Sequence, residues 1–462
     1  MKTERGFHCV SGKYMELSAA RTGKYRFYVL GILTLVTTLS FVDRSLISIL
    51  GPAIQADLKL EDWQMGIVTG LAFALLYVLA TIPIARLADK TSKVSVIAGA
   101  VALWSGFTAI CGFANSFIQL ALARVGVSIG DAGGTAPAHA LLSEYFAKEE
   151  RARALAILNL GISFGVAFAY LGGGYVADKL GWRLTFIVIG LPGILVALIV
   201  KLTVKDPRKK IPAAVTRKEG VAIKGDNDFV IMWNAAKHMM GIATYRWAVF
   251  GMSCMAITTF AFGTWIVIFF MRIHPDFPFW NLMLVLGFTA IFFNTTSSLI
   301  GGFLVDKLAK TNLAWYGYVP AISLFLFFPA NIWFFWSPTP LSAIAALVAI
   351  NLIAGVYIAP SFALAQTLAP VSIRALAAAV FIFIFNLFGM GLGPTLVGFL
   401  SSALEPSYGN ILSLKLAMSI VSAFAVLGGF FYLMVAKTIK PDWARAVAVN
   451  AEASAKKLSE GV

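Results

Sequence analysis

The chain has 462 residues, 59% of them hydrophobic and only 13% charged, with a net charge of +15, and its mean hydropathy is +0.83. Soluble domains are about 45 to 50% apolar and about a quarter charged, so this composition excludes a water-soluble fold and makes lipid the solvent. The basic excess clusters between apolar runs instead of covering a solvated face, which excludes a nucleic-acid partner, and the isolated Cys9, Cys111 and Cys254 supply neither a disulfide framework nor a Cys-x-x-Cys metal site.

Residues 1–26 are polar and basic and read as a cytoplasmic tail. The apolar run that follows is too long for a signal peptide and holds Asp43-Arg44, so it is expected as a retained first span. A bilayer-crossing helix needs about 20 apolar residues. On that measure the spans fall at 27–50, 63–84, 94–113, 116–143, 153–177 and 183–203, and again at 246–270, 281–305, 313–335, 340–367, 375–402 and 412–436. The predicted fold is an all-α membrane protein of twelve transmembrane helices in two pseudo-symmetric six-helix bundles, 27–203 and 246–436. Residues 204–245 form a polar cytoplasmic linker, whose 229–240 portion is either an amphipathic helix on the anionic leaflet or an ordinary solvated segment. Residues 437–462 form a second cytoplasmic tail. Asn294-Thr-Thr matches a glycosylation pattern but lies within the eighth span, which rules it out. With the N-terminus inside, 30 of the 37 Lys and Arg residues fall in the tails and inner loops. Only Lys59, Lys179, Arg183 and Arg272 fall in the outer ones, so both termini are expected in the cytoplasm and the chain in the cell inner membrane.

An internal repeat supports the two bundles. Ala85-Arg-Leu-Ala-Asp89-Lys90 after the second span recurs as Gly302-Phe-Leu-Val-Asp306-Lys307 after the eighth, an offset of 217. Ala136-Pro137 and Arg151-Ala152 recur as Ala359-Pro360 and Arg374-Ala375, both at an offset of 223. Duplicated six-helix halves are the architecture that rocks around a midplane site. Asp89, Lys90, Asp306 and Lys307 are therefore candidate elements of a cytoplasmic gate, latching one access state and releasing the other; as an alternative they merely mark cytoplasmic loops.

An ionisable side chain at mid-membrane depth costs roughly 2.5 to 3.5 kcal/mol to insert and normally marks function. Asp43 and Arg44 lie in the first span and Arg124 and Asp131 in the fourth. Asp43 and Arg124 are at similar depth, which permits an ion pair. Asp131 follows Arg124 by seven residues, putting both on one helix face about 10.5 Å apart, and Gly126, Gly130 and Gly134 form a small-residue ridge that lets another helix approach. Asp131, among glycines, is the expected proton acceptor, and its protonation is expected to free a base for an anionic head group; a purely structural ion-pair lattice is the alternative. His139 is a candidate proton relay or a bystander near a helix end. Thr258, Phe262 and Trp265 in the seventh span, with Asn351 and Asn386, are candidate cavity-lining residues. Gly389, Gly391, Gly393-Pro394 and Gly398 interrupt the eleventh span, as Pro360 does the tenth, and are candidate gating segments.

These features resemble the major facilitator superfamily and, within it, the Spinster family. The resemblance rests on Phe41-Val-Asp43-Arg44, Leu87-Ala-Asp89-Lys90, Ala123-Arg124-Val-Gly126-Val-Ser-Ile-Gly130-Asp131-Ala132, Ala136-Pro137 and Gly181-Trp182-Arg183. It spans nearly all of the first half and, more weakly, the second. Ala85 and Ser92 replace the two glycines of the superfamily loop motif, and Asp131 stands where the family usually has Glu. The resemblance implies proton-linked or facilitated movement of lysolipids and sphingoid lipids.

The expected function is secondary active transport, proton-coupled, of an amphipathic lipid-like substrate by alternating access; the alternative is proton symport of small organic anions such as aromatic or sugar acids. No phosphate-binding Gly-x-x-x-x-Gly-Lys-Ser/Thr loop occurs, which argues against ATP hydrolysis, and the scattered His8, His139, His238 and His274 offer no convergent catalytic set. The chain is therefore expected to be no enzyme, to need no cofactor or metal, to meet protons, membrane lipids and a small-molecule or lipid substrate, and to be a monomer.

Overall fold

The computed structural model describes residues 23–207, 228–370 and 373–459, and these are helices joined by short turns, with no strand among them. Among the described residues, nine stretches are long and apolar enough to cross a membrane. Two of them, Glu149–Thr203 and Leu376–Glu452, each contain two consecutive spans, which turn at Gly181 (φ 77°) and Gly409 (φ 75°). That backbone region costs glycine little and other residues much, which is why the reversals fall there. The fourth span is broken into Phe117–Ala132 and Thr135–Tyr145 at Gly133-Gly134 and so escapes a length criterion. Counted with that split, the described residues hold twelve spans, as the hydropathy pattern predicts.

Helix starts follow ordinary capping chemistry. Ser92, Ser116 and Thr339 each accept an amide N–H from three residues on, at the starts of the third, fourth and tenth spans. Asp442 caps the seventh span from the last helix, accepting from the Thr244 amide at 2.9 Å and its hydroxyl at 2.7 Å. That last helix runs Phe424–Ser459, so much of the expected C-terminal tail is helical. In the linker, Asp228–Gly241 is a helix with Ala235 and Met239 buried and Trp233 exposed. Residues 208–227 of the linker and 1–22 of the first tail, with His8 and Cys9, lie outside the described residues.

Four spans contain a π-helical turn: Ile67–Leu71 in the second, Ala169–Gly173 in the fifth, Ala290–Asn294 in the eighth and Leu387–Leu392 in the eleventh. They are every third span, counted from the second. The wider turn frees backbone groups from the regular ladder and marks places where a helix bends. The glycines of the eleventh span, expected as gating segments, fall in or just after one of these turns.

Packing divides the chain into two compact units, Met1–Lys59 with Leu75–Ala222, and Leu60–Ala74 with Ile223–Val462. In the first, span one packs on span five and span three on spans four and six. In the second, span seven packs on spans eleven and twelve, span nine on spans ten and twelve, and the opening turns of span two on span eleven. Lipid tails are as apolar as leucine, so close packing and internal hydrogen bonds, not water exclusion, hold such helices together.

Candidate functional site

In span one (Tyr25–Ile49), Ser40 and Arg44 are four residues apart and stack on one helix face, while Asp43 points about 100° away from Arg44. The two faces meet different partners. Asp131 of span four, buried to 2% exposure, accepts the Ser40 hydroxyl at 2.5 Å through one oxygen and the Arg44 Nε–H through the other. The Arg44 guanidinium lies over the rings of Tyr77 and Phe41, 4.7 and 5.0 Å from their centroids, an attraction that strengthens away from water. Asp43 turns instead toward Thr108 of span three and lies within electrostatic reach of Arg124 and Asp131. Arg124 is likewise within reach of Asp43, Asp131, Arg44 and Cys111.

All four charged residues expected to act together are thus gathered in the first unit. Asp131, not the adjacent Asp43, is the carboxylate that Arg44 meets, so Arg44 is the base that its protonation was expected to free. The cause is helix pitch, since Arg44 follows Asp43 in sequence but leaves the helix in another direction. Ser40 and Tyr77 complete the cluster and were missed; the four-residue spacing of Ser40 and Arg44 was the available signal for the first, and nothing local marked the second.

The glycine ridge has the role its spacing suggests. A Cβ at Gly130 would stand 2.5 Å from the Trp104 backbone nitrogen, so span four lies directly against span three at the level of Asp131. His139 hydrogen-bonds Asn159 of span five and lies beyond the break in span four.

At the end of the first unit where span one begins, Lys93 is buried, 1% exposed, and paired with Glu144. Lys90, Asp306 and Lys307 are exposed, and the Asp89 side chain lies outside the described residues; Asp306 acts electrostatically on Tyr316 of its own unit. At the opposite end of the first unit, Arg183 is stacked on Trp182 and joined to Asp57, the Ala114 carbonyl and Asn115. The hydrogen bond from Arg183 holds the Asp57 carboxyl below its ordinary range, against the opposing effect of desolvation.

In the second unit, Thr258, Phe262 and Trp265 are buried with their polar groups already engaged. Thr258 donates toward the carbonyls of Cys254 and Val421 at 3.2 and 3.3 Å, Trp265 donates to the Pro394 carbonyl at 3.0 Å, and Phe262 packs edge-on against Phe334. Asn351 donates to the Leu347 carbonyl of its own helix at 2.9 Å, and Asn386 is half-buried at the start of a π turn. Among the described residues no cluster of His, Cys, Asp and Glu is suited to a metal ion.

Comparison with known proteins assigns this arrangement. The profile of the Major Facilitator Superfamily matches residues 33–394. An MFS-type efflux pump of Mycolicibacterium smegmatis is 31% identical over 92% of this chain and 96% of its own length, and the D-galactonate transporter of Escherichia coli is 24% identical over 92% and 98%. Among solved structures, a bacterial homologue of the human lysosomal transporter Spinster, inward-facing and unoccupied, is similar with a TM-score of 0.80 and 28% identity, over 91% of this chain and 99% of that one. A multi-pass protein of the cell inner membrane that moves a small molecule, and is not an enzyme, the chain belongs to the Major Facilitator Superfamily and within it is Spinster-like.

Proposed function

We propose that this chain is a proton-coupled secondary transporter of amphipathic molecules with an anionic head, of lysolipid or sphingoid-lipid type, and that Asp131 is its proton-accepting group. The observation that carries the reading is the contact of Arg44 with Asp131 inside the membrane. A charge buried inside the membrane is costly unless it is paired, so the two side chains depend on each other. Protonation removes the charge that holds Arg44 and leaves the guanidinium, 16% exposed against 3% for the acid, to a substrate anion. Asp43 and Arg124 set the background charge against which that exchange occurs. Spans seven to ten carry no charged residue in their apolar cores, which suits a substrate with a long apolar body. In this reading both termini are cytoplasmic, the protein acts as a monomer, and the helix Asp228–Gly241 lies on the anionic leaflet with Trp233 as its anchor.

A second reading, proton symport of small organic anions, is favoured by the relatives named for sugar acids. These include the D-galactonate transporter above and a probable galactarate/D-glucarate transporter of Bacillus subtilis, 30% identical over 41% of this chain. The same Arg44 and Asp131 chemistry serves both substrate classes. Thermal-shift screening of the purified protein against lysolipids, sphingoid bases and sugar acids at two pH values separates the two. Proteoliposome uptake under an imposed pH step then tests the coupling: Asp131→Asn is expected to lose gradient-driven accumulation while retaining exchange, and an unchanged proton dependence removes Asp131 from the role.

A further inference from the structure

At the end of the second unit where spans seven and nine finish and span twelve begins, a lysine and a histidine lie within electrostatic reach of each other. Phe270, in the last turn of span seven, places the first of them: its ring lies 6.4 Å from Phe334 of span nine and 5.1 Å from the ring of His274, the residue that closes its own helix. Arg272, from the same turn, reaches the Asn410 carbonyl at 3.4 Å and so brings the start of span twelve alongside. Five residues on, the Lys415 ammonium lies 5.6 Å from the centroid of the Trp336 ring, just past the end of span nine. The same indole donates to Ser419 Oγ at 3.3 Å, one turn further along span twelve, which fixes the ring against that helix.

The carboxylates of this end are engaged or turned away. Asp62 takes both prongs of Arg272, Glu405 accepts from Asn410, and Asp276 is exposed on the turn after His274. None of the three acts on His274; burial, and after it the charge of Lys415, keeps its imidazole below the ordinary range. Among the described residues the Lys415 ammonium is in no ion pair or hydrogen bond. A half-buried ammonium beside an imidazole is the complement of an oxyanion, because the first supplies charge and the second an N–H donor even when neutral. The surroundings decide which oxyanion. Trp333 and Trp336 are exposed at this end, as aromatic side chains are at a membrane interface. Deeper in the bundle, Leu326 of span nine and Ile420 and Leu427 of span twelve are exposed, an apolar surface that acyl chains cover and that a soluble anion would leave unused.

We propose that Lys415, His274 and Trp336 form the head-group site of one anionic phospholipid, with Lys415 meeting the phosphate charge, His274 donating to a phosphate oxygen, and the acyl chains lying along spans nine and twelve. The lipid supplies the acceptor that the ammonium lacks, and the Trp336 ring holds that ammonium in place. Protonation of His274 adds a second positive charge, so the site strengthens as pH falls.

The site owes nothing to Arg44, Asp131 or the transported substrate, so its test is lipid binding alone. The purified full-length protein, stripped of lipid by detergent exchange, is titrated with dioleoyl phosphatidylglycerol in mixed micelles, and its melting temperature reads the half-saturating mole fraction. Phosphatidylglycerol is expected to give a saturable rise and dioleoyl phosphatidylcholine none. Lys415→Gln is expected to raise the half-saturating fraction about fivefold. His274→Gln is expected to raise it about threefold at about pH 5.5 and to leave it unchanged at about pH 8. Lys179→Gln, an exposed lysine of the first unit, is expected to leave it unchanged at both, which separates a site from net charge. Millimolar inorganic phosphate is expected neither to stabilise the protein nor to compete; full competition by it assigns the notch to a soluble anion and overturns the lipid. An equal response to phosphatidylcholine, or an unchanged half-saturation in Lys415→Gln, overturns the site as well. Where Lys415→Gln does not fold, His274→Gln and the phosphatidylcholine comparison decide.

Discussion

Asp131 and Asp62 are both enclosed to within 2 to 3% of full burial, and each accepts from one arginine and one serine. Their arginines hold them differently. Arg272 engages Asp62 with two nitrogens, at a helix start that favours the negative charge. Arg44 engages Asp131 through Nε, with aromatic rings against the guanidinium and a second acid and base, Asp43 and Arg124, within electrostatic reach. The first arrangement is a two-pronged ion pair; the second is a four-charge cluster that also meets aromatic rings. The same side-chain types therefore build a two-pronged pair at one place and a contact within a larger charge cluster at the other.

The largest expected effect separates the two directly. Arg272→Gln strands the Asp62 carboxylate without its counter-charge and is expected to cost roughly 3 to 5 kcal/mol of stability, read as a fall in the melting temperature of the detergent-solubilised protein. The double change Asp62→Leu with Arg272→Met is expected to recover most of that loss, because no buried charge remains. Arg44→Gln is expected to cost less, roughly 2 to 3 kcal/mol, since Asp131 keeps Ser40 and the nearby Arg124. Equal losses for the two arginines would erase the distinction drawn above.

Smaller effects sharpen the comparison. Gly130→Ala forces a methyl group onto the Trp104 backbone and is expected to cost about 1 to 3 kcal/mol, with gradient-driven uptake reduced because Asp131 is the next residue. Ser40→Ala and Ser401→Ala each remove one hydrogen bond to a carboxylate, worth about 1.5 kcal/mol. The first is expected to alter the pH profile of transport and the second to leave it unchanged, which uptake at a series of pH values measures. The smallest effect belongs to Asp57, whose carboxyl is depressed by Arg183. A depressed acid contributes stability above its ordinary range and loses it as pH falls through its folded value. Asp57→Asn is therefore expected to flatten acid-side stability slightly in a pH-resolved melting series, and to leave neutral pH nearly untouched.

Much of the architecture was readable before any coordinates. The spans and the reversals near Gly181 and Gly409 follow from local hydropathy and from the backbone region only glycine enters cheaply. Asp43, Arg44, Arg124 and Asp131 were legible as a cluster because charges inside apolar runs are costly enough to need one another. The partners were less so. Asp43 and Arg44 are adjacent in sequence, but a helix turns adjacent side chains about 100° apart, and Arg44 meets Asp131. Nothing in the sequence singles out Lys93 and Glu144; packing encloses the lysine to 1% exposure.

By itself, then, the sequence determined the solvent of this protein, the number of its crossings, its repeat and the inventory of charges that must be buried, since each depends on composition within a single turn or span. Only the tertiary structure decided which arginine meets which carboxylate, that 210 residues separate the partners of the Asp62 pair, and that the opening turns of span two pack with spans seven and eleven. The physical reason is range: hydropathy and helix propensity are sums over neighbours in the chain, while an ion pair depends on the angular setting of two helices that meet only after folding.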